Sequence, residues 1–504
     1  MTRRTRVVIP LALAGLLVIP ALVPPRGRPG LDGLVRALVQ SAGLPENSGS
    51  TPAAGDLILR HARIVDARGA RGPFSIRIEK GRITRVGDDV GAGLPEIDVG
   101  AATVMPGVID AHVHLSMAPS AVQRQDDAAT SAQLRAHHLR AYLASGVTTI
   151  LDPGIDNTVM EDVRAHLRNG HAGPRFLGLG TPLATPGGYL EHLFPPGISA
   201  PGQVGPHLDA LVKAGAVGLK MTYERGLVVP IWRLHPPEIE QAVAAEAAAR
   251  KLPVYVHAQH EEMMRRALVL HPHAFVHSPR DASDDLAATL ARTGIAVVST
   301  LSLFDAQAPL LHPEELQDPQ IQLVVPAAEL ASIVDPAQIG DCNGGMVAEM
   351  LPFVPGRYRD LLAWLLGTRA GLGVVDKAAR AALARTQRSI MTMEHAGVAM
   401  VLGSDSGNWP LFSYFFHGPT TWRELRLLAE AGLSPAEVLA IATINPARML
   451  GLEADIGTVE VGKVADLLVV DADPLRDVEK ALRALRLTVR AGVARTPKAW
   501  MTSD

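Results

Sequence analysis

Val108-Ile-Asp-Ala-His-Val-His-Leu115 is an apolar run that ends in two histidines one residue apart. Side chains at i and i+2 of a β-strand leave the same face, so the spacing predicts that His112 and His114 project together from the strand's end. Two imidazoles converging in this way can chelate a metal ion, although an isolated His-x-His is more often a solvated strand face. Later apolar runs decide between these readings, because each ends in another potential ligand. They are Lys220 in Val217-Gly-Leu-Lys-Met221, His257 in Val254-Tyr-Val-His-Ala258, His277 in Phe275-Val-His-Ser278 and Asp405 in Leu402-Gly-Ser-Asp-Ser-Gly407. Singly, each has an ordinary alternative: a satisfied buried histidine, a lysine reaching solvent, an aspartate in a turn. Together, at the same pole of successive strands, they point to a metal centre.

The runs also set the expected fold. Strands are predicted over 104–115, 147–152, 175–180, 217–222, 254–258, 274–277, 295–301 and 398–404, with helical stretches such as 131–145 and 237–250 between them. This alternation predicts an α/β chain, with a (β/α)8 TIM barrel over 105–452 whose chemistry sits at the C-terminal ends of the strands. The interval 302–395 is too long for a simple connection and reads as a mainly helical insertion beside the active-site mouth. Ser434-Pro-Ala-Glu437 carries the N-cap serine, first-turn proline and glutamate of a capping box. Short alternating strands with Gly-containing turns fill 55–104 and again 453–504. Neither part has enough apolar surface to stand alone, so the two are expected to pair into one small β-sandwich.

A chain of 504 residues, 47% of them hydrophobic, can bury a substantial core. Its net charge of −3 and lack of a basic block argue against nucleic acid as a partner. The one cysteine, Cys342, excludes an intrachain disulfide and a cysteine-based zinc site. At the N-terminus, Arg3, Arg4 and Arg6 precede an uncharged run over 7–23, roughly 26 Å long as a helix. Residues 1–30 therefore read as an export signal or a membrane anchor, cleaved or retained, followed by a Pro/Gly-rich linker over 31–54. The expected location is exported, either periplasmic or extracellular. A small-molecule substrate and further copies of the chain are the expected partners.

Four pieces resemble the amidohydrolase superfamily: Met105-Pro-Gly-Val-Ile-Asp-Ala-His-Val-His114, Gly403-Ser-Asp405, Thr443-Ile-Asn-Pro-Ala-Arg-Met-Leu-Gly451 and Gly457-Thr-Val-Glu-Val-Gly-Lys-Val-Ala-Asp-Leu467. The resemblance runs from about Asp56 to Val493 and is to binuclear members near the prolidase-like and imidazolonepropionase-like amidohydrolases. It implies that His112, His114 and Asp405 bind a more buried ion and His257 and His277 a more exposed one. Lys220, carboxylated on its amine, would bridge them; a free ammonium has no lone pair, whereas a carbamate offers two anionic oxygens. Such ligands suit two Zn2+ ions, without excluding Mn2+, Fe2+ or Co2+. The implied reaction is hydrolysis of a C–N amide bond, in a peptide-like or N-acyl amino acid substrate, by a metal-bridging hydroxide. Asp405 would act as the catalytic proton carrier. A cyclic amidase or deaminase, or a lactone or ester hydrolase, is the alternative; deaminases of the superfamily usually lack the lysine ligand.

Candidate substrate contacts are fewer. In Thr185-Pro-Gly-Gly-Tyr-Leu-Glu-His192, Tyr189 stands where prolidase-like relatives carry a histidine, and His192 either substitutes for it or lies on the surface. Tyr223 is a candidate for a substrate carboxylate, although three residues beyond Lys220 it has the opposite strand parity. His417 in Phe416-His-Gly418 either faces the pocket or caps the helix that follows.

Overall fold

The computed structural model describes residues 55–116, 128–191, 193–226, 230–305, 312–333, 347, 354–407 and 415–503. The expected export segment and linker, Cys342 and His192 lie outside these residues. Alternating apolar positions between turns form β1 (Leu57–Asp66), β2 (Gly69–Glu79), β3 (Arg82–Gly87), β4 (Glu96–Asp98) and β5 (Thr103–Pro106). The apolar runs that follow form β6 (Val108–Asp110), β7 (Val147–Asp152), β8 (Arg175–Gly178), β9 (Leu219–Thr222), β10 (Val254–His257), β11 (Ala274–Phe275), β12 (Ala296–Val298) and β13 (Met400–Val401). The C-terminal end adds β14 (Leu467–Val470), β15 (Leu485–Arg490) and β16 (Val493–Arg495).

The two ends of the chain do pair. The sheet runs β16-β15-β14-β5-β1-β2-β3, with β4 beside β1. The join is antiparallel, Leu467 opposite Pro106 through Val470 opposite Thr103. The strands expected in the sandwich share one hydrogen-bonded ladder, because β5 bonds to β1 on one side and to β14 on the other. One apolar cluster from both ends, including Leu59, Ile64, Ile76, Val104, Leu467 and Val489, is fully buried.

The stretch expected as one strand over 104–115 is two, divided at Gly107. A Cβ at Gly107 would lie 2.1 Å from Thr148 Oγ1, so the chain passes too close to β7 for any side chain there. β5 is left in the terminal sheet, and β6 begins the parallel set. The parallel strands form sheets of three (β6-β7-β8) and five (β13-β12-β11-β10-β9), not one closed ladder of eight. Single parallel bridges cross between them at Val113–Ser406 and Leu183–Met221. The strands are shorter than the apolar runs suggested, although the chain continues to bond beyond some of them, as Val276 N does to Val256 O.

Helices occupy the connections as expected, including Ala128–Ala144 and Pro237–Arg250. The insertion is helical where described, with Pro319–Val324, Ala327–Ile333, Gly356–Gly367 and Arg369–His395. Ser434 and Glu437 form the anticipated capping box on Pro435–Ala442. Among the described residues no helix is long and apolar enough to cross a membrane.

Glu424, buried in helix Pro419–Glu430, fastens the turn after β12. It accepts hydrogen bonds from Leu301 N at 2.8 Å, Ser302 N at 2.7 Å and Ser302 Oγ at 2.7 Å. Burial raises its carboxyl from 4.5 to about 7, against the effect of these bonds. Between those values the folded chain holds a proton that the unfolded chain has released, so stability falls as pH rises through the window. Glu424→Gln, which cannot ionise, is expected to show a shallower decline of Tm from pH 5 to pH 7 than the wild type. Parallel declines would contradict this role.

Candidate metal centre

β6 ends at Asp110, yet the backbone beyond it stays extended and bonded on both sides. Val113 N donates to Leu151 O at 3.0 Å, His114 N to Ser406 O at 2.8 Å, and Asp405 N to His112 O at 2.7 Å. The parity of a strand therefore persists through the two histidines, whose Nε2 atoms lie 3.2 Å apart. Asp405 reaches them from the loop after β13, its Oδ1 3.3 Å from His112 Nε2 and 2.9 Å from His114 Nε2. Its φ of 57° is uncommon for a side-chain-bearing residue and is held there by the bonds to the His112 segment. Asp110 braces both segments, accepting from His112 N at 3.3 Å, Ser404 N at 2.9 Å and Thr421 Oγ1 at 2.7 Å.

His257 is the last residue of β10, and His277 follows β11 by two. Their rings lie 4.4 Å apart, and the His277 ring lies 4.7 Å from that of His112. Outer hydrogen bonds orient two of these rings. His112 Nδ1 is 2.8 Å from Val276 O, so it carries the proton and leaves the Nε2 lone pair to the cluster. His277 Nδ1 is 2.9 Å from Thr300 Oγ1, and Thr300 itself sits at a φ of 46°.

Lys220, on β9, is 2% exposed. It stands opposite Tyr255 in the register that pairs Thr222 with His257, two residues along the same face. Burial lowers its pKa to about 8, against the pull of Asp405 and Asp152. Burial also holds His112 and His277 well below the usual imidazole value, so both keep a lone pair. His114 behaves differently: burial opposes its charge, but Asp152 and Asp405 overcome that and raise it to about 9. Short distances join His112, His114, His257, His277 and Asp405 in one buried cluster, and Lys220 is buried on the neighbouring strand β9. Within the cluster, His112, His277 and Asp405 each present a ligand atom within 4.8 Å of the others, a donor set that fits a divalent cation.

The candidate substrate contacts divide. Tyr189 comes to the centre, its ring 4.7 Å from His257 and 4.7 Å from Trp232. Tyr223 turns away, fully buried with its ring 6.0 Å from His235 and its hydroxyl raised by burial and by Glu240. The odd spacing from Lys220 accounts for that direction. His417 is buried behind the centre, with Nδ1 2.8 Å from Tyr142 OH, which in turn lies 2.5 Å from Ser406 Oγ. It does not cap the next helix, whose N-cap is Gly418 without a side-chain bond.

Two residues at the centre were not singled out from the sequence. Asp152, the last residue of β7, has Oδ1 3.7 Å from His114 Nδ1 and accepts from Leu115 N at 2.7 Å. Glu224 lies 3.7 Å from His257. Both were available as signals: Asp152 ends an apolar run, and Glu224 shares the parity of Lys220.

The profile described as Amidohydrolase family matches residues 103–494. An imidazolonepropionase from Symbiobacterium thermophilum is 38% identical over 89 residues, 17% of this chain and 19% of that protein. An allantoinase from Solibacter usitatus is 27% identical over 211 residues, covering 42% and 41%. The chain thus spans about a fifth to two fifths of the length of these curated relatives. Among solved structures, a Xaa-Pro dipeptidase with bound methionine in the active site has a TM-score of 0.66 at 20% identity, covering 88% of this chain and 100% of that one. A putative prolidase from Bifidobacterium longum has a TM-score of 0.61 at 26% identity, covering 88% and 95%.

Gly403 tests how tightly the centre is built. A Cβ there would lie 2.4 Å from Val298 Cγ1 and 2.6 Å from His112 Cβ, so Gly403→Ala must displace His112. The variant is expected to stay folded by circular dichroism while binding Zn2+ roughly tenfold or more weakly. Uptake equal to the wild type would contradict the close packing of His112.

Proposed function

The chain belongs to the amidohydrolase family, and from that membership we propose that it is a two-metal hydrolase cleaving a carbon–nitrogen amide bond. One observation carries the two-metal reading: Lys220 is buried on the strand beside that of His257, where an ammonium would repel the cations that the clustered ligands suit. Burial favours its neutral amine, the form that adds carbon dioxide. The carbamate so formed, with release of one proton, would supply two anionic oxygens as metal ligands. His112, His114 and Asp405 would hold one ion and His257 and His277 the other, with Zn2+ suited to the donor set. When bound, the ions acidify a water and polarise the scissile carbonyl.

Other steps fall to the chain itself. Asp405, in hydrogen-bond reach of His114, takes the proton of the attacking water and passes it to the departing nitrogen. Tyr189 walls the substrate space beside His257. A peptide-like or N-acyl amino acid substrate is the preferred class, supported by the solved relatives named prolidase and Xaa-Pro dipeptidase. Curated relatives named as deaminases supply the second reading, against which Lys220 counts. We further infer that the two parallel sheets close as a (β/α)8 barrel, supported by the bridges at Val113–Ser406 and Leu183–Met221. Arg3, Arg4 and Arg6 and the uncharged run over 7–23 support export, and we infer that the exported enzyme assembles as a homo-oligomer.

The reading is tested by offering dipeptides, N-acyl amino acids, cyclic amides and lactones to the metal-reconstituted enzyme. Fastest turnover is expected on the first two classes, and turnover confined to lactones or to amine release would replace the proposal. Lys220→Ala is expected to lose activity by about a hundredfold or more, with partial rescue by short carboxylic acids. An active, rescue-insensitive variant would remove the carbamate.

A further inference from the structure

Beyond β9 the chain keeps its parity, so Lys220, Thr222 and Glu224 face the same side while Met221 and Tyr223 face the other. Thr222 pairs with His257 in the parallel register of β9 and β10, and Glu224 lies just past that rung. Glu224 is 2% exposed, and its two oxygens have different fates. Oε1 accepts from Arg225 N and Gly226 N, both at 3.0 Å, which fixes the carboxylate plane. Oε2 is buried without a partner and faces His257 Nε2, also buried without a partner, at 3.7 Å.

A loop brace accounts for Oε1 and leaves Oε2 unexplained. Two complementary groups, each expensive to bury unpaired, face one another across a gap a few tenths of an ångström longer than a hydrogen bond. An imidazole that binds an ion through one nitrogen carries its proton on the other, and the partner of that proton sets the ring's orientation and basicity. His112 and His277 have such partners in Val276 O and Thr300 Oγ1. For His257 the group in that place is a carboxylate.

We propose that Glu224 is the positioning residue of His257. Its Oε2 accepts a hydrogen bond from the Nε2–H, the gap closing when the ion is bound, and the ring so presents Nδ1 to the more exposed metal. The inference rests on the two-metal reading above and gives Glu224 a role distinct from that of the six ligands.

Titration of the metal-free chain with Co2+ alone, followed by absorption and by metal content after gel filtration, tests it. Glu224→Ala is expected to weaken uptake of one ion roughly 10- to 100-fold and leave the other unchanged. Glu224→Gln, whose carbonyl oxygen still accepts a hydrogen bond, should stay within about threefold of the wild type. His257→Ala should weaken the same ion as Glu224→Ala, and the double variant should lose no more than His257→Ala. The 15N shifts of His257 in the Zn2+-loaded protein should show a protonated Nε2. Wild-type uptake of both ions by Glu224→Ala would overturn the proposal. So would equal losses in Glu224→Gln and Glu224→Ala, or a protonated Nδ1. A wild type that takes up a single ion would remove the two-metal reading. In that event, a loss of that ion shared by Glu224→Ala and His257→Ala still supports Glu224, and unchanged affinity overturns it.

Discussion

The centre depends on two short backbone contacts: Asp405 N to His112 O at 2.7 Å and His114 N to Ser406 O at 2.8 Å. They sew the segment after β6 to the segment after β13, the earliest and latest pieces of the parallel set. Because successive residues on each side must alternate, the bonds decide where His112 and His114 point and force Asp405 into a backbone region that few side chains adopt. Asp110 doubles the seam by bonding to both segments. Gly403 lets the two approach, since any side chain there would meet His112.

Enclosing so many ionisable groups has an energetic cost that the surroundings offset only in part. Burial drives His112 and His277 to neutrality and lowers Lys220, while the nearby carboxylates Asp152 and Asp405 hold a proton on His114. His112 and His277 therefore keep lone pairs that would suit a divalent cation. An ion held by His114 would have to displace the proton on that ring, which would couple affinity to pH. The same low dielectric gives the outer partners their leverage. Val276 O, Thr300 Oγ1, Asp152 and Glu224 each act on a ring nitrogen that would otherwise be free to choose its tautomer.

Much of this was legible in the residues. β7 and helix Pro237–Arg250 begin and end where their patterns do, and the six chemistry-bearing side chains were visible because each closes an apolar run. Other features were not legible, for physical reasons. Strand ends were overestimated, as at β11, because residues such as Val276 continue to bond, to Val256 O, after leaving the ladder. Gly107 looked like part of a strand, since only the approach of Thr148 reveals why it must be bare. Tyr223 attracted notice as an aromatic near Lys220, whereas parity assigned the useful position to its neighbour Glu224. The merging of both chain ends into one sheet was anticipated as pairing but not as a continuous ladder, which depends on β5 bonding on both edges.

The central claim is that two cations share this cluster. Anomalous diffraction from crystals of the Zn2+-loaded protein, collected on either side of the zinc edge, tests it most directly. The account predicts two peaks, one against His112, His114 and Asp405 and one against His257 and His277, with density for a carbamate on Lys220 between them. A single peak, or a bare Lys220 amine directed away from the four imidazoles, would contradict it.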